Sequence, residues 1–269
     1  MSDSARPWQS AQIAFTKASA CGNDFLIIDE SEVTVDLRPL TRRLCDRHNG
    51  IGADGVEWLF PDPEADVNAR LINADGSEAE ISGNGTRCVA ADFCSRQTQS
   101  EVLVRTGAGL KICRLLGQKD STFQFDVEMG QPEVGGELSI AATLVRASGI
   151  KVSMGNPHFV IFVDSFQEGW QQQAAIIQSQ PQFPEGTNVE YVKVLGPNDI
   201  EIRLFERGVG ETQSSGTGSF ASAVAAIASG FVASPVTVIA PGGAQVVRWE
   251  TQVYLQGPAT LVCRGHFFI

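Results

Sequence analysis

Ser82-Gly83-Asn84-Gly85 recurs as Ser215-Gly216-Thr217-Gly218, an offset of 133 in a chain of 269 residues. The same offset carries Gly22-Asn23-Asp24-Phe25 onto Gly155-Asn156-Pro157-His158-Phe159, Arg70-Leu71 onto Arg203-Leu204, and Glu78 onto Glu211. Lys17 and Ser19 match Lys151 and Ser153 at 134, which a one-residue gap explains. Several ordered matches at half the chain length indicate a duplication. The period is far too long for a solenoid, so the expectation is two similar domains facing each other. Their predicted extents are 1–130 and 131–269, with the terminal strand 262–269 crossing back to the first.

Each half mixes strands and helices. Ile13–Phe15, Phe25–Asp29, Glu101–Val104, Phe159–Asp164, Val189–Val194 and Glu201–Phe205 have the β-branched and aromatic character of short strands. Alanine-rich segments after each Ser-Gly-x-Gly, Arg87–Ser95 and Phe220–Ser229, predict helices. Leu37–Arg47 predicts another, with basic residues near its end. Glu168–Gln182, rich in glutamine, reads as a solvated helix of the second half.

Composition excludes several classes. At 43% hydrophobic and 19% charged the chain is that of a globular protein, and its formal charge of −11 disfavours nucleic acid and anionic membranes as partners. The first ten residues have no apolar core of a signal peptide, and apolar runs are strand-sized. Six cysteines lack CxxC spacing and only three histidines occur. No metal centre or disulfide scaffold is expected; reduced thiols point to the cytoplasm.

The Ser-Gly-x-Gly elements carry the chemistry. Each stands where a turn gives way to a helix, so glycine lets the backbone approach a ligand and unpaired N–H groups point at it. Such a start binds a carboxylate or phosphate and lowers the pKa of a nearby thiol or hydroxyl. One copy alone reads as a serine-capped glycine turn. Two copies facing one cleft make a pseudo-symmetric anion site with a hydroxyl on each side. Gly208-Val209-Gly210-Glu211 resembles a phosphate loop only superficially: it has no Walker lysine and no dinucleotide-binding βαβ setting. Asn23, Asn73, Asn156 and Asn188 lie in turn-like contexts, and Glu206-Arg207 follows a strand. Singly these are turn residues and a surface ion pair. Together with His158 they suit an amino acid: amides and a guanidinium for its charged ends, His158 and Glu206 for proton transfer.

Longer motifs are similar to those of diaminopimelate epimerases. They include Phe15-Thr16-Lys17 before Gly22-Asn23-Asp24-Phe25, Cys45-Asp46-Arg47-His48 before Gly50-Ile51-Gly52-Ala53-Asp54-Gly55, and Asn73-Ala74-Asp75-Gly76-Ser77-Glu78. Gly83-Asn84-Gly85-Thr86-Arg87, Met154-Gly155-Asn156-Pro157-His158, Phe183-Pro184-Glu185, Asn188-Val189 and Glu206-Arg207-Gly208-Val209-Gly210-Glu211-Thr212 continue the resemblance from about Ile13 to the C-terminus. It implies an α+β fold of two homologous domains, each a barrel-like mixed sheet around a central helix, with the active site in the cleft between them. It implies epimerisation at Cα of a small amino acid, diaminopimelate, by two opposed acid/base residues without pyridoxal phosphate or any other cofactor. The substrate contacts carried over are Asn23, Asn73, Asn156, Asn188, Glu206 and Arg207. The α-carboxylate would rest on the amides of Gly83, Asn84, Gly216 and Thr217, with His158 and Glu206 assisting. A homodimer formed through the second domain is the family's habit.

This sequence departs from the family at the two catalytic positions. Cysteines are expected there, and Ser82 and Ser215 stand instead. A thiol is brought near neutrality by a helix start and a neighbouring base, whereas a hydroxyl is far less acidic. The family's His-Gly-Leu before Gly-Asn-Asp-Phe also reads Ser19-Ala20-Cys21 here, which makes Cys21 a thiol near the cleft; small apolar filler is the commoner fate of a free cysteine. Three readings follow: an epimerase with both cysteines exchanged by design, a natural relative working as an epimerase, isomerase or dehydratase on a small amino acid, and a non-catalytic amino-acid-binding protein.

Overall fold

A computed structural model describes residues 12–33, 35–142 and 145–269. The first half runs β1 (Gln12–Ala20), β2 (Asn23–Asp29), α1 (Leu37–Cys45), β3 (Gly55–Phe60), β4 (Val67–Asn73), β5 (Glu78–Ala79), α2 (Gly83–Arg96), β6 (Glu101–Thr106), β7 (Gly109–Lys119) and β8 (Thr122–Gly130). The second runs β9 (Glu133–Ala142), β10 (Val145–Ser153), β11 (Pro157–Phe162), α3 (Trp170–Gln178), β12 (Asn188–Gly196), β13 (Asp199–Glu206), β14 (Gly210–Thr212), α4 (Gly216–Ala228), β15 (Val236–Ala240), β16 (Gly243–Trp249) and β17 (Val253–Phe268).

In the first half β1, β2, β3, β4, β6, β7, β8 and β17 pair in sequence and β17 returns to β1, closing a mixed barrel. The parallel steps, β2 to β3 and β4 to β6, are those that span a helix. Parallel neighbours need a crossover and cannot be joined by a tight turn. The second half repeats the plan: β11 and β12 pair in parallel across α3, β13 and β15 across α4. Even the register repeats. Phe25 faces Gly55 as His158 faces Asn188, and Val56 faces Ile72 as Val189 faces Phe205, all at the offset of 133. The two rings share long strands. β17 pairs with β16 and β8 over its first part and with β1 from Thr260 to Phe268, while β8 leads into β9.

The four helices divide into two kinds. α1 and α3 lie outside the barrels and cover satellite cores, one around Trp58, Leu40 and Leu44, the other around Trp170, Ile177 and Phe159. α2 and α4 run inside and are buried over most of their surface. A helix apolar or small on every side belongs in such a place. Hence the alanines: Ala90 and Ala91 on α2, and Ala221, Ala223, Ala225 and Ala226 on α4, all belonging to one core that crosses both barrels.

Three expectations shift in detail. α2 and α4 start four residues earlier than alanine content suggests, at Gly83 and Gly216, because Ser82 and Ser215 cap them. α1 stops at Cys45, two residues short of Arg47. The glutamine-rich helix is shorter and only half solvated: Trp170, Ala174 and Ile177 bury one stripe, and Trp170 packs edge-on against Tyr191.

The helix starts meet. A Cβ on Gly216 would lie 2.6 Å from Gly83 Cα and 2.9 Å from Asn84 N, all backbone atoms that cannot swing aside. Gly216→Ala is therefore expected to cost about 1–3 kcal/mol, measured by urea unfolding. Gly136→Ala, where nothing lies within 4 Å of the new methyl, should stay within about 0.5 kcal/mol of the parent. Equal effects at the two sites would show that the helix starts are not in tight contact.

Candidate active site

Ser82 and Ser215 are N-caps of equal geometry. Each has extended φ and ψ, and its hydroxyl accepts a hydrogen bond at 3.1 Å from the N–H three residues on, of Gly85 and Gly218 respectively. Both line one cavity of about 450 Å³ built from the two halves. From the first half come Asn23 and Asn73; from the second come Asn156, Asn188, Glu206, Arg207 and Thr217. Gly83 and Gly216 stand behind the serines as the abutting backbones. Two helix N-termini thus bring their unpaired N–H groups and positive dipole ends to one place.

The amides are held rather than free. Asn23 Nδ2 donates to Asp54 Oδ2 at 2.6 Å, and Asn73 Nδ2 to Ser77 Oγ at 3.1 Å. Asn188 donates to Pro157 O at 3.0 Å and accepts from the Arg207 backbone N–H at 2.9 Å. Asn156 Nδ2 donates to Thr217 Oγ1 at 3.3 Å. Such second partners fix rotamers, so amides reach a ligand pre-oriented. Asn84 differs from the others. Its side chain is fully buried and works between the halves, donating to Ser214 and Asn23 and accepting from Gln245 and Arg87.

Charge is unevenly spread. Arg207 is held at Glu185 O and at Glu80 Oε2, 3.4 Å away across the cleft. Around it stand the carboxylates of Asp54, Asp75, Glu78, Glu80 and Glu185, a lining suited to ammonium groups. Behind the cavity Arg87 is buried with no carboxylate paired to it among the described residues, donating to Pro258 O, Gly83 O and Asn84 Oδ1. Burial lowers its pKa and a hydrogen bond with the Cys21 side chain opposes the fall. A guanidinium beside a helix start adds to the field that would attract an anion there.

Glu206 is the cavity carboxyl that the Ser215 side chain reaches by hydrogen bond. Burial raises its pKa, and hydrogen bonds from Thr212 and Ser215 pull it back down; the Thr212 bond measures 2.7 Å. His158 lies one layer deeper. It is buried, with Nε2 3.2 Å from Asn156 Oδ1 and Nδ1 2.7 Å from Glu190 Oε1. Burial raises the Glu190 pKa and His158 opposes the rise. Cys21 lies outside the cavity lining, half-exposed in the β1–β2 turn with φ 53°, and its thiol is 3.9 Å from Ala244 O. It is not the buried filler that a free cysteine commonly becomes.

Glu190 and Glu57 escaped motif reading, yet the offset of 133 relates them to each other. Ser214 and Gln245 were missed because they act on Asn84 of the other half, whereas Thr212 holds Glu206 within its own half across a hairpin. No group of three or more His, Cys, Asp or Glu able to hold a metal occurs among the described residues, and there no helix is long and apolar enough to cross a membrane.

Comparison with known proteins adds ancestry. The diaminopimelate epimerase from Sphingopyxis alaskensis is 38% identical over 262 residues, covering 93% of this chain and 96% of its own. That from Pelotomaculum thermopropionicum is 38% identical over 276 residues, covering 94% and 98%. Among solved structures, a hydroxyproline epimerase from Agrobacterium vitis with bound trans-4-hydroxy-L-proline superposes with a TM-score of 0.76 at 14% identity, covering 98% of this chain and 92% of its own. Methylitaconate-Δ-isomerase gives 0.64 at 12%, covering 96% and 95%. These two share the fold. Residues 15–134 and 150–262 match the family described as diaminopimelate epimerase, and the chain belongs to that family of isomerases.

Proposed function

We propose that the chain binds diaminopimelate in this cavity and interconverts its LL and meso forms by two-base proton transfer at Cα between Ser82 and Ser215. The observation that carries the reading is that Ser82 and Ser215, related by the duplication, cap the two abutting helices and line the same cavity. The reaction needs no redox partner. A Cα–H bond breaks on one face, its electron pair is held beside a carboxylate resting on the helix starts, and a proton arrives on the other face. The amides at Gly83, Asn84, Gly216 and Thr217 suit that carboxylate. Arg207 and the asparagines suit the distal carboxylate, and the surrounding acids the ammonium groups.

Serine changes the rate rather than the route. A neutral hydroxyl accepts a Cα proton only as it loses its own, so each serine needs a neighbour to take that proton. For Ser215 the neighbour is Glu206, with Asn156, His158 and Glu190 ordered behind it. Each unit of pKa mismatch is worth about 1.4 kcal/mol, so turnover is slow beside that of a paired-thiol site. The finer attributes follow the family: a cytoplasmic enzyme with free cysteines, no cofactor, and a homodimer.

Two measurements test this. In D2O the protein should exchange the Cα proton of LL-diaminopimelate and form the meso isomer slowly. The Ser82→Cys/Ser215→Cys variant should be faster by about 10²–10⁴-fold, the usual span of acid–base assistance. Exchange without epimerisation, or activity only on another small amino acid, would favour the isomerase or dehydratase reading; no binding by either form would sink the diaminopimelate assignment.

Arg207→Ala should weaken diaminopimelate binding about 10–100-fold, the value of a charge-assisted hydrogen bond. Lysine, which lacks the distal carboxylate, should bind the variant and the parent alike in calorimetry. Equal losses for both ligands would move Arg207 to the α-carboxylate.

A further inference from the structure

Glu57 sits on β3 between Ile27 of β2 and Leu71 of β4 and points into the first barrel, only 3% exposed. A methyl group placed on Gly85 would overlap its Oε1, and the same methyl would lie 3.2 Å from Ser82 Cβ. The carboxyl and the Ser82 side chain therefore close on the same spot beside Gly85, at the first turn of α2, and leave no room there for a methyl. The second half repeats the arrangement: a methyl on Gly218 would lie 3.1 Å from both Glu190 Oε1 and Ser215 Cβ. There Glu190 is held by His158. In the first half Phe25 occupies the position related to His158, and no hydrogen bond or ion pair reaches the Glu57 carboxyl among the described residues.

The charged groups on the packed elements are engaged elsewhere. Asp24 on β2 pairs with Lys17 and Arg47, Arg70 on β4 with Glu78, and Arg87 on α2 with backbone carbonyls and Asn84. The Cys88 thiol of α2 remains, itself pushed up by burial. Burial alone pushes Glu57 up to about 8, so its proton is exchangeable near neutral pH. A carboxyl this deep without a hydrogen-bond partner costs stability.

We propose that Glu57 is the positioning residue of Ser82, taking the hydroxyl proton as Ser82 Oγ receives the Cα proton and returning it when the flow reverses. The Cα–H bond breaks as a new O–H bond forms on Ser82; the former Ser82 O–H bond breaks and its proton ends on a Glu57 oxygen. The two serines are thus served by different carboxyls, Ser215 by Glu206 and Ser82 by Glu57. This role rests on the reading of Ser82 and Ser215 as the acid/base pair.

Two arms test it, the first without catalysis. In Ser82→Cys the new thiol reports its surroundings through the pH dependence of iodoacetamide alkylation. A thiolate forms at higher pH beside a carboxyl that also ionises. Adding Glu57→Gln should lower the midpoint by at least about half a pH unit, while Ser215→Cys with and without Glu57→Gln should titrate alike. An unmoved midpoint in the first pair, or equal shifts in both, overturns the proposal.

The second arm is Cα exchange in D2O. Glu57→Gln should lose at least about tenfold in the rate of deuterium wash-in into the stereoisomer whose proton Ser82 removes. Wash-in into the other stereoisomer, which Ser215 serves, should hold, while epimerisation itself slows alike from both sides. KM should hold within about twofold, and the rise in rate through pH 8 should vanish. Equal loss of wash-in into both stereoisomers with a raised KM overturns it. Because the folded-state pKa is raised, the parent loses stability as pH climbs from the ordinary carboxyl range through about 8. The variant should therefore unfold no earlier than the parent in urea above pH 8. A thiol shift with no exchange by any form would uphold the link between Glu57 and position 82 and refute the epimerase reading.

Discussion

The close approach of Gly83 and Gly216 is the constraint on which the site depends. Two helices run through two barrels and their first turns touch, so close that a Cβ on either glycine would press into the other's backbone. This contact removes water from between two positive helix ends that otherwise repel. Like partial charges brought together in a poorly solvated place raise the energy of the empty protein and lower it when an anion arrives. The Asn84, Ser214 and Gln245 network holds the ends there: Gln245 Nε2 reaches Asn84 Oδ1 at 3.1 Å and Ser214 Oγ at 3.0 Å. The barrels serve the same end. Eight strands closed on a helix leave it little room to shift, so the position of its first turn is set by the sheet.

Serine at both caps is, in folding terms, an excellent choice. Serine is among the best N-cap residues, better suited than cysteine to accept the N–H three residues along. Both hydroxyls do so here. The interaction that stabilises the helix also draws electron density from the oxygen, which favours an alkoxide and weakens the hydroxyl as a base. A cysteine in the same place would give up part of the cap and gain a thiolate accessible near neutral pH. Structure and chemistry thus pull position 82 and position 215 in opposite directions, and the residues present lie on the side of structure. A neighbouring carboxyl that shares the proton lessens the chemical penalty without disturbing the cap.

Much of this was legible in the chain because a duplication leaves its mark at fixed spacing. The offset of 133 that matches Ser82 with Ser215 also governs strand register, so the facing of the two motifs followed from sequence. Helix starts were less legible. Alanine content located the helix bodies but not the glycine-rich first turns, where propensity argues against helix and only the serine cap argues for it. Inward carboxyls were illegible for a different reason. Glu57 lies in Gly55–Phe60 among apolar neighbours, and a strand covered on both faces shows no alternation to say which face a charge occupies. The glutamines around Trp170 suggested solvent; the buried stripe of Trp170, Ala174 and Ile177 shows only when its spacing is weighed against the residue types.

The duplication is broken where function asks for difference. Phe25 stands opposite Gly55 where His158 stands opposite Asn188, so one half has a ring against bare backbone and the other has an imidazole beside an amide. Asn73 corresponds to Glu206 at the same offset. One serine therefore faces a ready acceptor and a hydrogen-bonded chain of Asn156, His158 and Glu190; its twin faces amides, a phenyl ring and a single buried carboxyl. Two chemically equal caps in unequal surroundings have unequal proton affinities. An epimerase that takes a proton from one face and delivers it to the other needs that inequality to reverse with the substrate. Mobile protons on both sides allow it, through Glu206 in the second half and, in our proposal, through Glu57 in the first.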